Sequence, residues 1–316
     1  MKISAPHIAN LFHYAAHLGY EDAELRQFLE NPNQDIRDVS GKINSSEFVN
    51  ALGLLSANTK YAGLYFGCSL NYKTLGFVTQ LQLNSYSFEQ AVFILQNYLQ
   101  NAFPIVFLEA SVKNKNYTVS LKSNIEDEKL RLQVLDMVFC FIYREFKLIL
   151  STKYFPKLIL PYSNLSEYRQ MLKIDLASGQ EHLFVFDAKV MEAELNQGKI
   201  KAIEVLLPKF MDLIGFHKSA YPTFSAKVRS MILNMSTPEL PDFSQVSKAM
   251  LMSERTVQRK LSMEGQSYRK IKNDIKKELY QYLSKARQIK VRELAMLLGY
   301  SDSSALLHAV KEWKRP

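Results

Sequence analysis

The chain has 316 residues, 47% of them hydrophobic, and two cysteines, Cys68 and Cys140. That length suits two domains. The apolar fraction excludes a disordered chain, and the cysteine count excludes a disulfide scaffold or a multi-cysteine zinc site. The formal charge of +9 is unevenly placed: residues 1–216 carry 21 Lys and Arg against 22 Asp and Glu, residues 217–316 carry 19 against 9. A basic block beside a neutral body points to an anionic partner for that block, nucleic acid or an acidic membrane face, or else to a solubilising surface. No apolar run approaches a membrane span, and Met1 to Asn10 lacks the apolar core of a secretory signal, so the sequence reads as soluble and cytoplasmic.

Ile8 to Leu18 has apolar residues at helical spacing, with Gly19 as a stop. Glu21 to Leu29 predicts a second helix ended by the Asn31-Pro32 turn, and Ser45-Ser46 can cap a helix over Phe48 to Leu55. The apolar, Gly-containing stretches Gly63 to Gly67 and Leu75 to Phe77 fit more than one state. Ser87 suits the N-cap of a helix from Phe88 to Gln100, closed by Pro104. The period then changes. Ile105 to Val112 and Asn116 to Ser123 read as strands joined by a turn, Leu130 to Leu150 as a long helix with a broad apolar face, Leu158 to Leu160 as a strand, Tyr168 to Leu172 as a helix and His182 to Phe186 as a strand. Strands interleaved with helices make residues 1–190 an α+β domain. Residues 191–223 are a connector, with a helix over Met191 to Leu207 and then Pro208, Gly215 and Tyr221-Pro222 as breaks.

Residues 224–316 read as all-α. Phe224 to Asn234 and Phe243 to Met250 precede a turn through Leu251 and Met252. Ser253 then caps Glu254 to Met263, with Gly265 just past its end. A short helix, a tight turn and a capped basic helix describe a helix-turn-helix. Val257 and Leu261 stand four apart, which leaves Arg255, Thr256, Gln258, Arg259 and Lys260 outward. Arg pairs with guanine and Gln with adenine in the major groove, so the composition suits a recognition helix; a solvated helix face is the plainer reading. Tyr268 to Ser284 is a basic helix whose Lys270, Lys272, Lys276 and Lys277 fit phosphate contact or plain surface. Val291 to Leu298, Gly299, and Ser303 to Lys314 repeat the short-helix, turn, helix order, so the expected C-terminal domain holds two helix-turn-helix units.

These C-terminal residues resemble the DNA-binding domain of AraC/XylS-type transcriptional regulators. The matching strings are Glu293-Leu-Ala-Met-Leu-Leu-Gly-Tyr-Ser-Asp-Ser-Ser-Ala305 with Lys311-Glu-Trp313, and Met252-Ser-Glu-Arg-Thr-Val-Gln-Arg-Lys-Leu-Ser-Met-Glu-Gly265. The chain also resembles the subgroup with an N-terminal arabinose-binding-like domain, through Gly63 to Gly67, Leu75-Gly76, Phe88 to Ala91 and Val185-Phe186. The resemblance implies a non-enzymatic, sequence-specific regulator, an activator by default. It implies a small effector sensed, or a homodimer formed, by the N-terminal domain, with double-stranded DNA and RNA polymerase as partners and no membrane. It places DNA contacts at Ser253, Arg255, Thr256, Gln258, Arg259 and Lys260, and at Ser303, Ser304, His308 and Lys311.

Two departures weaken the second unit. Leu306 and His308 stand where relatives hold an aromatic residue and an arginine, and Glu312 replaces an arginine. The family pattern also continues past the tryptophan with a further short helix, whereas this sequence runs to Trp313-Lys-Arg-Pro316. An interaction or dimeric scaffold with a weakened second unit is the alternative that these residues motivate. Trp313 is expected as a core anchor. His13 and His17 have a metal-compatible spacing but no carboxylate between them and apolar neighbours, so packing is expected and no metal or cofactor. Cys68 and Cys140 read as core thiols. Residues 1–216 hold no recognisable catalytic constellation.

Overall fold

The computed structural model describes residues 1–38, 40–70, 85–192, 222–237, 239–284 and 290–313, with a few positions between 195 and 213. The stretch Leu75 to Phe77 and most of the expected connector helix lie outside the described residues. The chain divides into two compact units, Met1–Leu195 and Asn196–Pro316. Among the described residues no helix is long and apolar enough to cross a membrane.

The first unit contains the sheets. Strands β1 (Lys2–Ser4) and β2 (Lys42–Asn44) pair antiparallel beside helices α1 (Pro6–Leu18), α2 (Asp22–Arg26) and α3 (Ser45–Ser56). Helix α2 is shorter than the apolar pattern predicts. Arg26 at its end donates to the carbonyls of Pro32 and Gln34, which ties the chain into a turn.

The five-stranded sheet runs β3 (Val106–Lys113), β4 (Asn116–Ser123), β7 (His182–Asp187), β5 (Lys157–Leu160), β6 (Leu176–Ser178), antiparallel except for β5 with β6. Lys113 pairs with Asn116, and the two residues between, Asn114 and Lys115, have φ of 49° and 65°. Left-handed backbone at both positions is the two-residue turn whose twist matches that of the strands. Alternation along β4 buries Tyr117, Val119 and Leu121, opposite Phe186, Phe184 and His182 of β7.

That face is covered by α5 (Phe88–Ala102) and α6 (Glu128–Ile149). Ser87 accepts from the Gln90 backbone N–H, which fixes where α5 starts. An aromatic cluster joins the layers: Phe139 of α6 stacks on Phe184 at 4.2 Å, and Phe88 of α5 lies 4.7 Å from Phe186. Helix α7 (Ser166–Leu172) completes the region.

Helix α4 (Ala62–Cys68) is made by its neighbour. Gln133 of α6 accepts from the Gly63 N–H and donates to the Lys60 carbonyl, while Arg144, about three turns farther along α6, donates to the carbonyls of Gly67 and Leu70. Seven residues are too few for a stable helix alone, so the orphan groups at both ends take partners from α6. Gly63 and Gly67 face it: a Cβ on Gly63 would lie 2.0 Å from the Gln133 carbonyl oxygen, and one on Gly67 2.5 Å from that of Met137. Cys68 and Cys140 are both buried and reduced, and burial, with Cys68 hydrogen-bonded beside it, pushes the Cys140 thiol well up.

The described elements of the second unit are helices: α8 (Phe224–Met235), α9 (Phe243–Ala249), α10 (Glu254–Met263), α11 (Tyr268–Leu283), α12 (Val291–Leu297) and α13 (Ser303–Trp313). Thr223, Asp242, Ser253 and Ser267 cap the first four, each accepting a backbone N–H from inside the first turn. Glu264 adds a second cap to α8, accepting from the N–H groups of Phe224 and Ser225, and these bonds hold its carboxyl below the usual range.

The close approach of α4 and α6 yields a stability prediction. Gly63→Ala must push backbone against backbone and should cost at least about 1–3 kcal/mol. A urea denaturation series reads this as a lower midpoint, and an unchanged midpoint would contradict the packing described.

Candidate nucleic-acid interface

The basic unit contains two helix pairs, α9 with α10 and α12 with α13. Their turns close alike. After α9, the Leu251 N–H donates to Lys248 and that of Met252 to Ser247; after α12, the Gly299 N–H donates to Met296 and that of Tyr300 to Ala295. This double bond pattern, with a left-handed residue, satisfies the last carbonyls of a helix. The left-handed residue is Leu251 at φ 53° in the first turn and Gly299 at φ 69° in the second. Only the second has the residue type that adopts this backbone freely. One residue, Met252, then separates Leu251 from the cap Ser253, whereas Tyr300 and Ser301 separate Gly299 from Asp302. The second turn is therefore one residue longer.

The second helices of the two pairs expose matching faces. In α10, Val257 and Leu261 are fully buried, while Arg255, Gln258, Arg259 and Ser262 are exposed. In α13, Leu306 and Val310 are buried, while Ser304, Leu307, His308 and Lys311 are exposed. Each exposed set follows the i, i+3, i+4, i+7 spacing of one helix face. Counted from the caps Ser253 and Asp302, the two sets fall at the same positions. Asp302 accepts from the Ala305 N–H at 2.8 Å and, with Ser301 beside it, is held below the usual carboxylate range.

The structure divides the other sequence-nominated residues. Ser253 and Thr256 are occupied with capping: the Ser253 hydroxyl accepts from the Thr256 N–H and lies 2.8 Å from the Thr256 hydroxyl. The Lys260 ammonium sits 5.1 Å over the Phe224 ring, to the side of the exposed face. Ser303 is half-buried at the start of α13. Ser262 and Leu307 join these faces by helical spacing from Arg255 and Ser304, a signal that the motif resemblance does not carry.

Lys272 and Lys276 turn inward along α11. Lys272 Nζ donates to the carbonyls of Leu240 and Pro241, just before α9. Lys276 Nζ donates to the Gly299 carbonyl and lies 4.0 Å over the Tyr300 ring, in the turn of the second pair. Trp313 is half-buried rather than a core anchor: its Nε1–H donates to Asn273 at 3.0 Å and its ring lies 5.7 Å from that of Tyr280. Its indole nitrogen needs a partner, which keeps it at the edge of α11. Lys270 stays exposed on α11.

In the first unit the polar groups are enclosed. Asp136 is fully buried, accepts from the hydroxyls of Tyr162 and Tyr168, and pairs with His182 Nε2 at 2.8 Å. Burial and the Asp136 charge push both tyrosines up, so they stay protonated donors. This network binds α6 to α7 and β7, with Tyr162 half-buried at its edge. A cavity with room for roughly one water is lined by His7, Leu70, Tyr98, Phe103, Met137 and Phe141. Burial lowers His7 to about 4, so it is neutral beside the Tyr98 hydroxyl, 3.1 Å away. His17 Nδ1 donates to the His13 carbonyl, one turn back. Among the described residues no cluster of three or more His, Cys, Asp or Glu could hold a metal ion.

No family model matches the chain. It is 34% identical over 88 residues to the ornithine utilization regulator of Pseudomonas aeruginosa, which is 28% of this chain and 25% of that protein. It is 32% identical over 83 residues to the HTH-type transcriptional regulator VqsM of the same organism, 26% of each chain. An uncharacterized HTH-type transcriptional regulator of Mycobacterium tuberculosis is 26% identical over 140 residues, 44% of this chain and 40% of that one. The matches thus span a quarter of the length of the first two relatives. The crystal structure of transcriptional regulator CdpR from Pseudomonas aeruginosa aligns over 93% of this chain and 96% of its own at 17% identity and a TM-score of 0.41, a likeness too low to carry an argument.

The inward turn of Lys276 has a pH signature. Burial, then the neighbouring Lys272 charge, lower it to about 8. Between that value and the ordinary lysine range the unfolded chain binds more protons than the folded one, so stability rises with pH there; below about 8 the burial cost is present in full. The unfolding midpoint of the protein should therefore gain on that of Lys276→Met between pH 7 and 9.5. Parallel pH profiles in urea titrations of the two proteins would contradict this placement.

Proposed function

We propose that the chain is a sequence-specific DNA-binding transcription regulator. In this reading the two helix pairs of residues 224–316 are helix-turn-helix units, with α10 and α13 as the helices that enter the major groove. The observation that carries the reading is the matched register of the two exposed faces. Two capped helices in one basic unit present the same four positions, counted from their caps, and hold Val257, Leu261, Leu306 and Val310 inward. That is the arrangement in which side chains reach base edges while the helix start lies near the phosphates. The relatives' names as regulators support the same reading.

Within this proposal Arg255, Gln258 and Arg259 make the principal base and phosphate contacts of the first unit. Ser304, His308 and Lys311 serve the second. Ser253, Thr256, Lys260 and Ser303 act at the flanks, the first two by fixing the start of α10. The resemblance to AraC/XylS-type regulators supports activation as the direction of control, a small effector or a homodimer contact in residues 1–190, and polymerase as a further partner. An effector acts only if it binds two states of the protein with different affinity. The His7 cavity is water-sized, so an effector there requires a more open state of the α1, α5 and α6 packing.

Arg259→Ala should weaken binding to duplexes that the protein retains, by roughly tenfold or more, and reduce the slope of log affinity against log salt by about one, because fewer counterions are released. Fluorescence anisotropy at several salt concentrations measures both. Unchanged affinity and slope would count against α10 as the contacting helix.

A further inference from the structure

The two exposed faces match in position but differ in chemistry. Gln258 occupies the fifth residue of α10, counting from Glu254, and Leu307 the fifth of α13, counting from Ser303. Gln258 offers an amide donor and acceptor. Leu307 offers only hydrocarbon, and it is 54% exposed while its neighbour Leu306 is fully buried. An exposed leucine is ordinary by itself. This one lies in the middle of a polar stripe, with Ser304 before it and His308 and Lys311 after it, on a helix whose start is defined by the Asp302 cap.

We infer that Leu307 is a specificity-determining residue that reads the 5-methyl group of a thymine in the major groove. This inference rests on the DNA-binding reading above. Thymine is the base that presents a methyl there, and an apolar side chain is what recognises it. The flanking groups favour a duplex over a protein as the occupant. Lys311 and Ser304 suit phosphate oxygens, and the single apolar side chain between them is far smaller than the contiguous patch of a protein-docking site. The two halves of the bound sequence are then unlike. The half under α10 is read by hydrogen bonds from Arg255, Gln258 and Arg259, and the half under α13 contains a thymine contacted through its methyl group.

The test uses the full chain and a duplex selected by it from a random library, with each thymine replaced in turn by deoxyuridine, which removes only the methyl. One replacement, in the half farther from the α10 contacts, should lower affinity about fourfold, the size expected for burying one methyl group. Leu307→Ala and Leu307→Gln should bind the thymine and deoxyuridine duplexes equally, both more weakly than the parent binds the thymine duplex; the Gln variant keeps an unbranched Cβ and a similar helix propensity. If no replacement matters, or if the variants retain the parent's discrimination, the inference is overturned, and the exposed leucine then belongs to a protein surface. A library that yields no selected duplex overturns the DNA-binding reading itself, which separates the two failures.

Discussion

Helix α11 is the constraint on which the basic unit depends. Its Ile271, Ile275, Leu279 and Leu283 are buried at four-residue spacing, so its orientation is fixed by one apolar stripe. Everything else on that helix follows from that choice. Tyr268 donates to the Pro241 carbonyl, Lys272 to Leu240 and Pro241, Lys276 to Gly299, and Asn273 accepts from Trp313. The segment before α9 and the turn of the second pair are both held on a single rod. The rise of one turn between Lys272 and Lys276, about 5–6 Å, makes the two attachments neighbours on it. Arg229 of α8 reaches Glu278 of α11 at 2.8 Å, which ties the first helix of the unit to the same element; exposed on one side, that pair adds little energy but fixes direction.

This arrangement changes the meaning of the basic charge. Read as a total, it is a diffuse attraction for any polyanion. In the structure Lys272, Lys276 and Lys260 serve backbone carbonyls and aromatic rings, while Arg255, Arg259 and Lys311 stand outward on α10 and α13, and Arg269, Lys270, Lys290 and Arg292 are exposed elsewhere in the unit. Long-range attraction from exposed charges falls quickly with salt. In the proposed reading selectivity comes from close contacts, where Gln258 and Leu307 offer different chemistry at equivalent positions. The first turn also carries a cost that the second does not: Leu251 takes a left-handed backbone that Gly299 takes freely.

Much of this fold was legible in the sequence where local signals agree. The hairpin of β3 and β4 was legible because alternation and a polar turn coincide, and α10 because Ser253, two apolar residues four apart and Gly265 mark its start, face and end. Helix α4 was not, because nothing in Ala62–Cys68 says helix by itself. Its caps are Gln133 and Arg144, which join it only in three dimensions, and its two glycines are spacers for a neighbouring backbone. Strands β1, β2 and β6, three residues each, are likewise defined by their partners. In the candidate site the outward arginines follow from helical spacing alone. The inward turn of Lys272 and Lys276 does not, since periodicity places a lysine on a face but cannot supply the carbonyl that receives it. Trp313 shows the same limit: its apolar neighbours suggested a core, and the indole N–H decided for the rim.

The central claim is that residues 224–316 recognise a particular DNA sequence through two helices, and the most direct measurement is sequencing of the duplexes that the full chain retains from a random library at near-physiological salt. The account predicts an enriched motif of two unlike blocks, separated by about one helical turn of DNA, roughly 34 Å, with purine-rich contacts in one block and a thymine in the other. Retention that vanishes with added salt and leaves no enriched sequence would contradict it, and would reduce the basic unit to a charged surface without readout.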